Sequence, residues 1–172
     1  MIKKWGEKLL AIIFLLSALV IGVDQWVKFW IVTNFEIGET QPLLNHLFSL
    51  TYVQNQGAAW NILEGQMTFL TLITVIAITV VTYLMFRYRK ESKFLTIGLA
   101  LVLAGAVGNF IDRIRLGYVV DMIQADFIQF PIFNIADSSL VIGVILIFIY
   151  TIFEDRLKGR RHDRETGNDN NK

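Results

Sequence analysis

Four long apolar stretches constrain this chain more than any other feature of its sequence. They lie at about residues 9–31, 67–86, 94–111 and 132–153. Each is close to the roughly 20 residues that a helix needs to cross a bilayer. Of the 31 charged residues (16 Lys+Arg and 15 Asp+Glu), the stretches hold only Asp24, Lys28 and Asp137. A helix of a soluble bundle carries a polar stripe, and these stretches have none. The sequence therefore predicts an all-α polytopic membrane protein with four transmembrane helices.

The basic residues outside these stretches are divided unequally between the two sides of the predicted membrane. Thirteen of them precede the first span, join the second span to the third, or follow the fourth, whereas only Arg113 and Arg115 lie on the opposite side. Because Lys and Arg concentrate in cytoplasmic loops, both termini are predicted to be cytoplasmic. The segments 33–66 and 112–131 are predicted to lie outside.

The chain is predicted to form one four-span membrane domain, residues 1–153, followed by a charged tail. Its start has the basic-then-apolar pattern of a secretory signal, but the apolar run continues past Asp24 without a small-residue cleavage site, which favours a retained first span. Residues 48–53 alternate between apolar and polar side chains and indicate a strand. We therefore expect a small extracytoplasmic β-element, at about 33–66, between helices 1 and 2. Residues 154–172 are expected to be a cytoplasmic tail, partly disordered.

Composition excludes several classes of function. A net charge of +1 without a basic patch between the spans argues against nucleic-acid binding. The absence of cysteine excludes cysteine-ligated zinc, iron–sulfur clusters and thiol nucleophiles. His46 and His162 are too few and too far apart for a histidine-ligated metal site. The composition therefore offers no set of cysteine or histidine ligands for a metal.

Ionisable residues at membrane depth are costly and usually functional. Asp24 and Lys28 are spaced i, i+4 and share one face of the first helix, where they can pair. The pair either supports packing or takes part in substrate binding. Asp137 opens the fourth span, where a carboxylate is commonly a helix cap.

A second polar cluster changes the interpretation of Asp137. The ends of spans three and four bring several polar residues to the same outer face, namely Asn109, Asp112, Arg113, Asp121, Asn134 and Asp137. Two neighbouring carboxyls cannot both ionise cheaply, so they share a proton. The ionised one can take a proton from water while the other donates to a carbonyl oxygen, as in aspartic proteases. The same acids could instead carry protons or cations in a small four-span transporter.

The motifs resemble those of the bacterial lipoprotein signal peptidases (signal peptidase II). Five blocks carry the resemblance, from about Val23 to Gly143: Asp24–Lys28, Asn55–Trp60, Gly105–Arg113, Gly117–Asp121 and Phe133–Asp137. Their order and their positions relative to the four spans make the match specific. Met122, where the family would have Phe, is one departure from the pattern.

The resemblance implies a function and a set of site residues. It implies a membrane aspartic endopeptidase that removes the signal peptide of prolipoproteins, cleaving before a diacylglyceryl-modified cysteine. It also implies that neither a metal nor an organic cofactor is needed. Its catalytic residues would be Asp121 and Asp137. The supporting residues that it implies are Asp24, Lys28, Asn55, Gly57, Asn109, Asp112, Arg113, Asn134 and Ala136.

The resemblance also implies a setting for the enzyme. The chain would be a multi-pass protein of the bacterial cytoplasmic membrane with its active site at the outer face. Its partners would be prolipoproteins, membrane lipid and globomycin-type peptide inhibitors. We expect it to act as a monomer. Because Asp137 lies at a helix N-terminus and Asp121 has apolar neighbours, we expect Asp137 to be the usual anion and Asp121 the usual proton carrier.

Overall fold

The computed structural model describes residues 2–44, 47–58, 60, 62–88 and 92–168. The helices and strands of this part of the chain are α1 (Ile2–Asn34), β1 (Thr40–Leu44), β2 (Phe48–Asn55), α2 (Met67–Tyr88), α3 (Lys93–Leu116), β3 (Val119–Ala125) and α4 (Ile135–Asn168). Each of the four helices contains a segment long and apolar enough to cross a membrane. The predicted spans are confirmed.

The fourth helix extends well past the predicted span. It continues to Asn168, so it includes most of the tail for which the sequence indicated partial disorder. No proline interrupts residues 154–168, and their Glu, Lys and Arg residues are good helix formers. Residues 169–172 lie outside the described residues. The cytoplasmic location of the tail stays a prediction.

Helix α3 is the centre of the helical domain. In its apolar segment 56% of the residues are buried, compared with 22%, 17% and 17% in those of α1, α2 and α4. Both ends of α3 are capped. The Ser92 side chain accepts a hydrogen bond from the Phe94 N–H (3.2 Å), and Gly117, with φ of 77°, ends the helix by donating to the Arg113 carbonyl (3.2 Å). The cap at Gly117 fixes the point where the chain turns from α3 into β3.

Helices α1 and α2 pack against α3 through an apolar cluster. Ile13, Met85 and Leu99 are among its buried members. A hydrogen bond from the Ser17 hydroxyl to the Ala100 carbonyl (3.0 Å) also joins α1 to α3. These contacts hold the face of α1 that carries Asp24 and Lys28 against α3.

Glycines allow α3 and α4 to approach closely. A Cβ added at Gly98 would lie 2.9 Å from the Gly143 carbonyl oxygen. One added at Gly105 would lie 2.6 Å from Cγ of Leu140 and would also collide with the Ala136 carbonyl oxygen. The two helices are therefore in backbone contact where α4 begins.

The β-element is a three-stranded antiparallel sheet of order β1-β2-β3. Strands β1 and β2 lie within the predicted segment 33–66, which confirms the β-element, whereas β3 comes from the segment between α3 and α4 and was not predicted as a strand. Tyr52, Val120 and Met122 pack one face of the sheet against Ile31 and Phe35, at the C-terminal end of α1. The sheet is thus fixed to the helical domain beside the ends of α3 and α4.

The close contact between α3 and α4 gives the first testable prediction. Gly105→Ala forces a Cβ into the backbone of α4, so we expect the free energy of unfolding to fall by about 1–3 kcal/mol, the typical cost of overpacking. Gly22→Ala is the matched control, because no atom lies within 4 Å of its added Cβ. Thermal unfolding of the detergent-purified proteins measures both changes. Equal stability of the two variants would contradict the close contact.

Candidate active site

Asp121 lies in the middle of β3 and is 2% exposed. Its strand neighbours Val120 and Met122 pack into the core between the sheet and α1, so alternation along the strand turns Asp121 to the opposite face. There its two carboxyl oxygens accept hydrogen bonds from the side-chain amides of Asn55 (2.8 Å) and Asn134 (2.7 Å). Both oxygens therefore have fixed positions.

Asp137 lies in the first turn of α4 and forms a reciprocal cap with Asn134. The Asn134 side-chain oxygen accepts from the Asp137 N–H (2.8 Å), and the Asp137 carboxyl accepts from the Asn134 N–H (3.2 Å). The other oxygen of Asp137 accepts from the Asn109 side chain of α3 (2.7 Å). Asp137 therefore does take part in a helix cap, and the same hydrogen bonds orient its carboxyl group.

Asn134 connects the two acids. It is fully buried, and its side-chain amide donates to Asp121, while its backbone N–H donates to Asp137. The same amide also contacts the Asn109 side-chain oxygen (3.0 Å). The residues proposed as a pair from sequence are therefore held by one shared partner.

A buried ammonium lies behind the acids. Lys28 is 3% exposed, and its Nζ donates to Asn109 Oδ1 (2.9 Å) and forms salt bridges with Asp24 and Asp112 (3.0 Å each). Lys28 thus pairs with Asp24, as the i, i+4 spacing predicted, and also with α3. Asn109 in turn donates to Asp137, so this one residue links the ammonium group to the acid.

The two carboxylates paired with Lys28 in turn fix backbone groups next to the acids. Asp24 accepts from the Ala136 N–H at the start of α4 (2.9 Å). Asp112 accepts from the Val120 N–H of β3 (3.0 Å). The backbone N–H just before each acid, that of Val120 before Asp121 and that of Ala136 before Asp137, is therefore held by a buried carboxylate.

The protonation of Asp121 follows from this environment. The pKa of Asp121 is raised to about 7, chiefly by burial and next by the negative charge of Asp137. Hydrogen bonds from Asn55 and Asn134 oppose the shift. Near neutral pH the Asp121 carboxyl is therefore partly protonated. Which acid of the pair usually carries the proton stays a prediction.

Arg113 differs from the other predicted residues. Its Nη1 donates to the Thr74 hydroxyl of α2 (3.3 Å), and its buried Nε has no hydrogen-bond partner within the described part of the chain. The structure therefore joins Arg113 to α2 and leaves one of its donors available near the acids.

A cavity of about 540 Å³ lies beside Asp121. Its lining comes from β2, β3 and the loops that follow these two strands, and it consists of Val53, Asn55, Ala58, Trp60, Asp121, Gln129, Phe130, Pro131 and Ile132. The rings of Trp60 and Phe130 meet edge to face with centroids 6.0 Å apart. A cavity of this size, largely apolar with a few fixed polar groups, is typical of a ligand site.

The predicted supporting residues occupy three kinds of position. Asn55, Asn109 and Asn134 contact an acid directly, and Gly57 donates its N–H to Asn55 Oδ1 (2.8 Å). The residues one contact further away are Asp24, Lys28, Asp112 and Ala136. Arg113 is linked to α2 instead.

Two residues of the network were missed from sequence. Gln25 donates to Asp112 (2.9 Å), to the Gly108 carbonyl (3.2 Å) and to Asp24 (3.3 Å). Its polarity within an apolar span, next to Asp24, was an available signal. Thr74 gave none, because a threonine that bonds the preceding turn of its own helix, here the Leu70 carbonyl, is ordinary in membrane helices.

Comparisons with known proteins agree with this site and fold. The model of the family described as Signal peptidase (SPase) II matches residues 16–153. The lipoprotein signal peptidase of Enterococcus faecalis is 54% identical over 149 residues, which are 87% of this chain and 92% of that protein. That of Lactobacillus johnsonii is 53% identical and covers 83% of this chain and 93% of its own length.

Solved structures extend the likeness to three dimensions. A bacterial membrane enzyme determined by the in meso method at 2.3 Å resolution superposes with a TM-score of 0.79 at 41% identity, covering 84% of this chain and 90% of that one. A second such enzyme, at 1.9 Å resolution, gives a TM-score of 0.74 at 42% identity, with 82% and 92% of the two chains covered. By sequence over most of its length and by fold, this chain belongs to the signal peptidase II family and is a membrane-spanning peptidase.

Proposed function

We propose that the chain is an aspartic endopeptidase that removes the signal peptide of bacterial prolipoproteins, cleaving before a cysteine that carries diacylglycerol. The observation that carries the aspartic mechanism is the Asn134 bridge. It holds Asp121 and Asp137 as a pair, with Asp121 at the wall of a peptide-sized cavity.

The pair acts through one shared proton. Asp137 takes a proton from a water molecule as the water oxygen bonds to the scissile carbonyl carbon, and Asp121 gives its proton to the carbonyl oxygen. The tetrahedral intermediate then loses its carbon–nitrogen bond as Asp137 gives its proton to the departing cysteine nitrogen. Asp121 takes a proton from a hydroxyl of the intermediate as the new carboxyl group forms, which restores both acids to their starting states. The raised pKa of Asp121 supports its role as the proton donor. Two N–H donors, from Asn109 and from the Asn134 backbone, support Asp137 as the base that approaches the water.

The supporting residues keep the acids in this arrangement. Asn109 and Asn134 orient the carboxyls, while Asn55, held by Gly57, fixes the second oxygen of Asp121. Arg113 has a buried donor without a hydrogen-bond partner among the described residues, and this donor binds a carbonyl of the peptide. Such fixed surroundings lower the cost of reaching the reactive geometry.

The position of the acids at one end of α3 and α4 suits a lipid-anchored substrate. The excess of basic residues on the other side of the membrane supports cytoplasmic termini and an active site at the outer face of the cytoplasmic membrane. There the acyl chains of the substrate stay in the bilayer while the scissile bond reaches its boundary. The enzyme works as a monomer, without a cofactor, and globomycin-type peptides compete for the same site.

The transporter alternative is not favoured. Family membership points to a peptidase, and carrier sites usually lie near the midplane of the bilayer. Asp121 lies in a strand beyond the end of α3, outside the spans.

Removing either acid tests the mechanism. Asp121→Asn and Asp137→Asn should each lower cleavage of a diacylglyceryl prolipoprotein by at least about 10³-fold, because an amide neither accepts the water proton nor shares one. Since the two act as a unit, the double variant should be no worse than either single variant. Cleavage is measured with purified protein in detergent, beside an unlipidated substrate that should remain intact. Glu36→Gln, a change of an exposed outer acid, is the control. Substantial activity of either single variant would exclude that residue from the mechanism.

The raised pKa of Asp121 predicts a pH dependence. Below about pH 7 Asp121 keeps its proton and above it the proton is lost, so kcat/KM should fall with rising pH beyond about 7, approaching about tenfold per pH unit. The folded protein holds this proton more tightly than the unfolded chain does. The free energy of unfolding should therefore also fall as the pH rises from about 4 to about 7. Unfolding temperatures at each pH therefore separate loss of the proton from loss of folded protein. A rate that stays level to pH 9 would contradict this assignment.

The hydrogen bond between Thr74 and Arg113 predicts a role for Thr74. Thr74→Val removes the hydroxyl that positions the guanidinium, so kcat/KM should fall about tenfold or more, mainly through KM, as expected for a lost bond to a charged group. Thr71→Val is the matched control. Thr71 is buried to a similar degree and makes the same kind of bond to its own helix, at 2.8 Å in both residues, without contacting Arg113. Equal effects of the two variants would refute positioning by Thr74.

A further inference from the structure

A second cavity adjoins the one beside Asp121. Its volume is about 510 Å³, and it is lined by residues 124–130 together with Ile132. Gln129, Phe130 and Ile132 line both cavities. The space beside Asp121 therefore continues along β3 beneath the loop that follows this strand.

The wall of the second cavity formed by the sheet is polar and preorganised. Thr51 donates to Gln124 (3.0 Å), Ser49 donates to Asp126 (2.7 Å), and the Gln124 amide donates to Asp126 (3.2 Å). The Asp126 carboxylate accepts these two bonds and has capacity for more, because an ionised carboxylate offers about four acceptor positions.

The two cavities follow the same pair of strands. Val53 pairs with Asp121, and Ser49 pairs with Gln124, with a register shift between them that interrupts the regular alternation of faces. The two cavities are continuous through their shared lining, because Gln129, Phe130 and Ile132 border both. A peptide that extends from the cavity beside Asp121 along this lining would meet Gln124 and Asp126.

The spacing identifies which part of such a peptide would reach the second cavity. Gln124 lies three positions after Asp121 in β3, a distance of about 10 Å at roughly 3.3 Å per residue. An extended peptide with its scissile bond at Asp121 would cover this distance with its third or fourth residue.

The surroundings of β3 indicate the direction of the peptide. Val120 and Asp121 are bonded to α3 and to the start of α4. Gln124 and Asp126 instead contact β2 and the turn before it, where the Asp126 N–H donates to the Leu47 carbonyl (3.0 Å). The second cavity thus lies on the side away from the helices. A signal peptide is apolar and stays with the membrane, whereas the chain after the cysteine leaves it.

Resting on the proposed function, we propose that the second cavity binds the third and fourth residues of the mature polypeptide, counting the cysteine as the first, and that Asp126 favours a basic side chain there. Among the described residues that line the cavity, Asp126 is the one that is ionisable. The outer segment 33–66 carries acids but no Lys or Arg. Both features favour a basic segment over an acidic one.

Pairs of lipidated peptides test this inference. The peptides are identical except that residues three and four are both Lys or both Glu. For the unaltered enzyme we expect kcat/KM to be about fivefold higher for the Lys peptide, the scale of a partly exposed ion pair. Asp126→Asn should bring the ratio close to one, and Asp126→Lys should reverse it.

Two controls separate a local effect from the general charge of the outer surface. Glu36→Lys, a charge reversal at an exposed outer acid away from the cavity, should leave the ratio unchanged. Peptides with the same Lys or Glu pair at residues nine and ten should be cleaved equally. If Asp126→Lys does not fold, the Asp126→Asn ratio decides, since the amide keeps the size of the side chain.

The outcomes distinguish the two proposals. Normal cleavage with the same Lys-to-Glu ratio in the unaltered enzyme and in Asp126→Asn would overturn the subsite and leave the proposed function intact. An equal change of the ratio in Glu36→Lys would also overturn it. Failure to cleave any of the lipidated peptides would instead overturn the proposed function.

Discussion

One buried ammonium group holds the functional end of this molecule together. Lys28 of α1 contacts Asp24 of its own helix and both Asp112 and Asn109 of α3. Through Asp24 its charge supports the first turn of α4, and through Asp112 it supports β3. Removing one partner of a buried ion pair leaves the other charge uncompensated, which typically costs about 3–5 kcal/mol. Loss of the ammonium would leave two such carboxylates, so the geometry of the acids depends on it.

The sequence predicted the helical part of the fold well, because membrane spans leave a strong signal in hydropathy and charge. It also predicted β2, whose alternation is regular. It missed β3, since Val119 and Val120 are adjacent and both buried, with Asp121 buried beside them, so no alternation is visible. The irregular pairing of β3 is a further reason. The N–H groups of Met122 and Ile123 both donate to the Phe133 carbonyl, a pattern that depends on a distant segment.

For the candidate site, the sequence predicted that these polar residues meet at one end of the helices but did not predict their contacts. The i, i+4 spacing predicted the pair of Asp24 and Lys28, whereas the salt bridge to Asp112 depends on how α1 packs against α3. Arg113 was grouped with the acids because it follows Asp112. Its place in the sequence does not reveal that it donates to Thr74 of α2. Contacts between helices depend on tertiary packing. The spacing of residues within one helix does not reveal which residue of another helix each side chain will contact.

Small residues between α3 and α4 explain how buried charges and close helix packing coexist here. A Cβ at Gly108 would lie 2.8 Å from the Asp24 carboxylate and 3.0 Å from the Cβ of Ala136. The absence of that atom opens the path by which Asp24 of α1 reaches past α3 to the Ala136 N–H of α4. This bond holds the helical turn that begins at Asn134 and carries Asp137. The hydrogen-bonded acids therefore depend on glycine at the helix contact, because a larger residue there would separate the carboxylate of α1 from the helix that it caps.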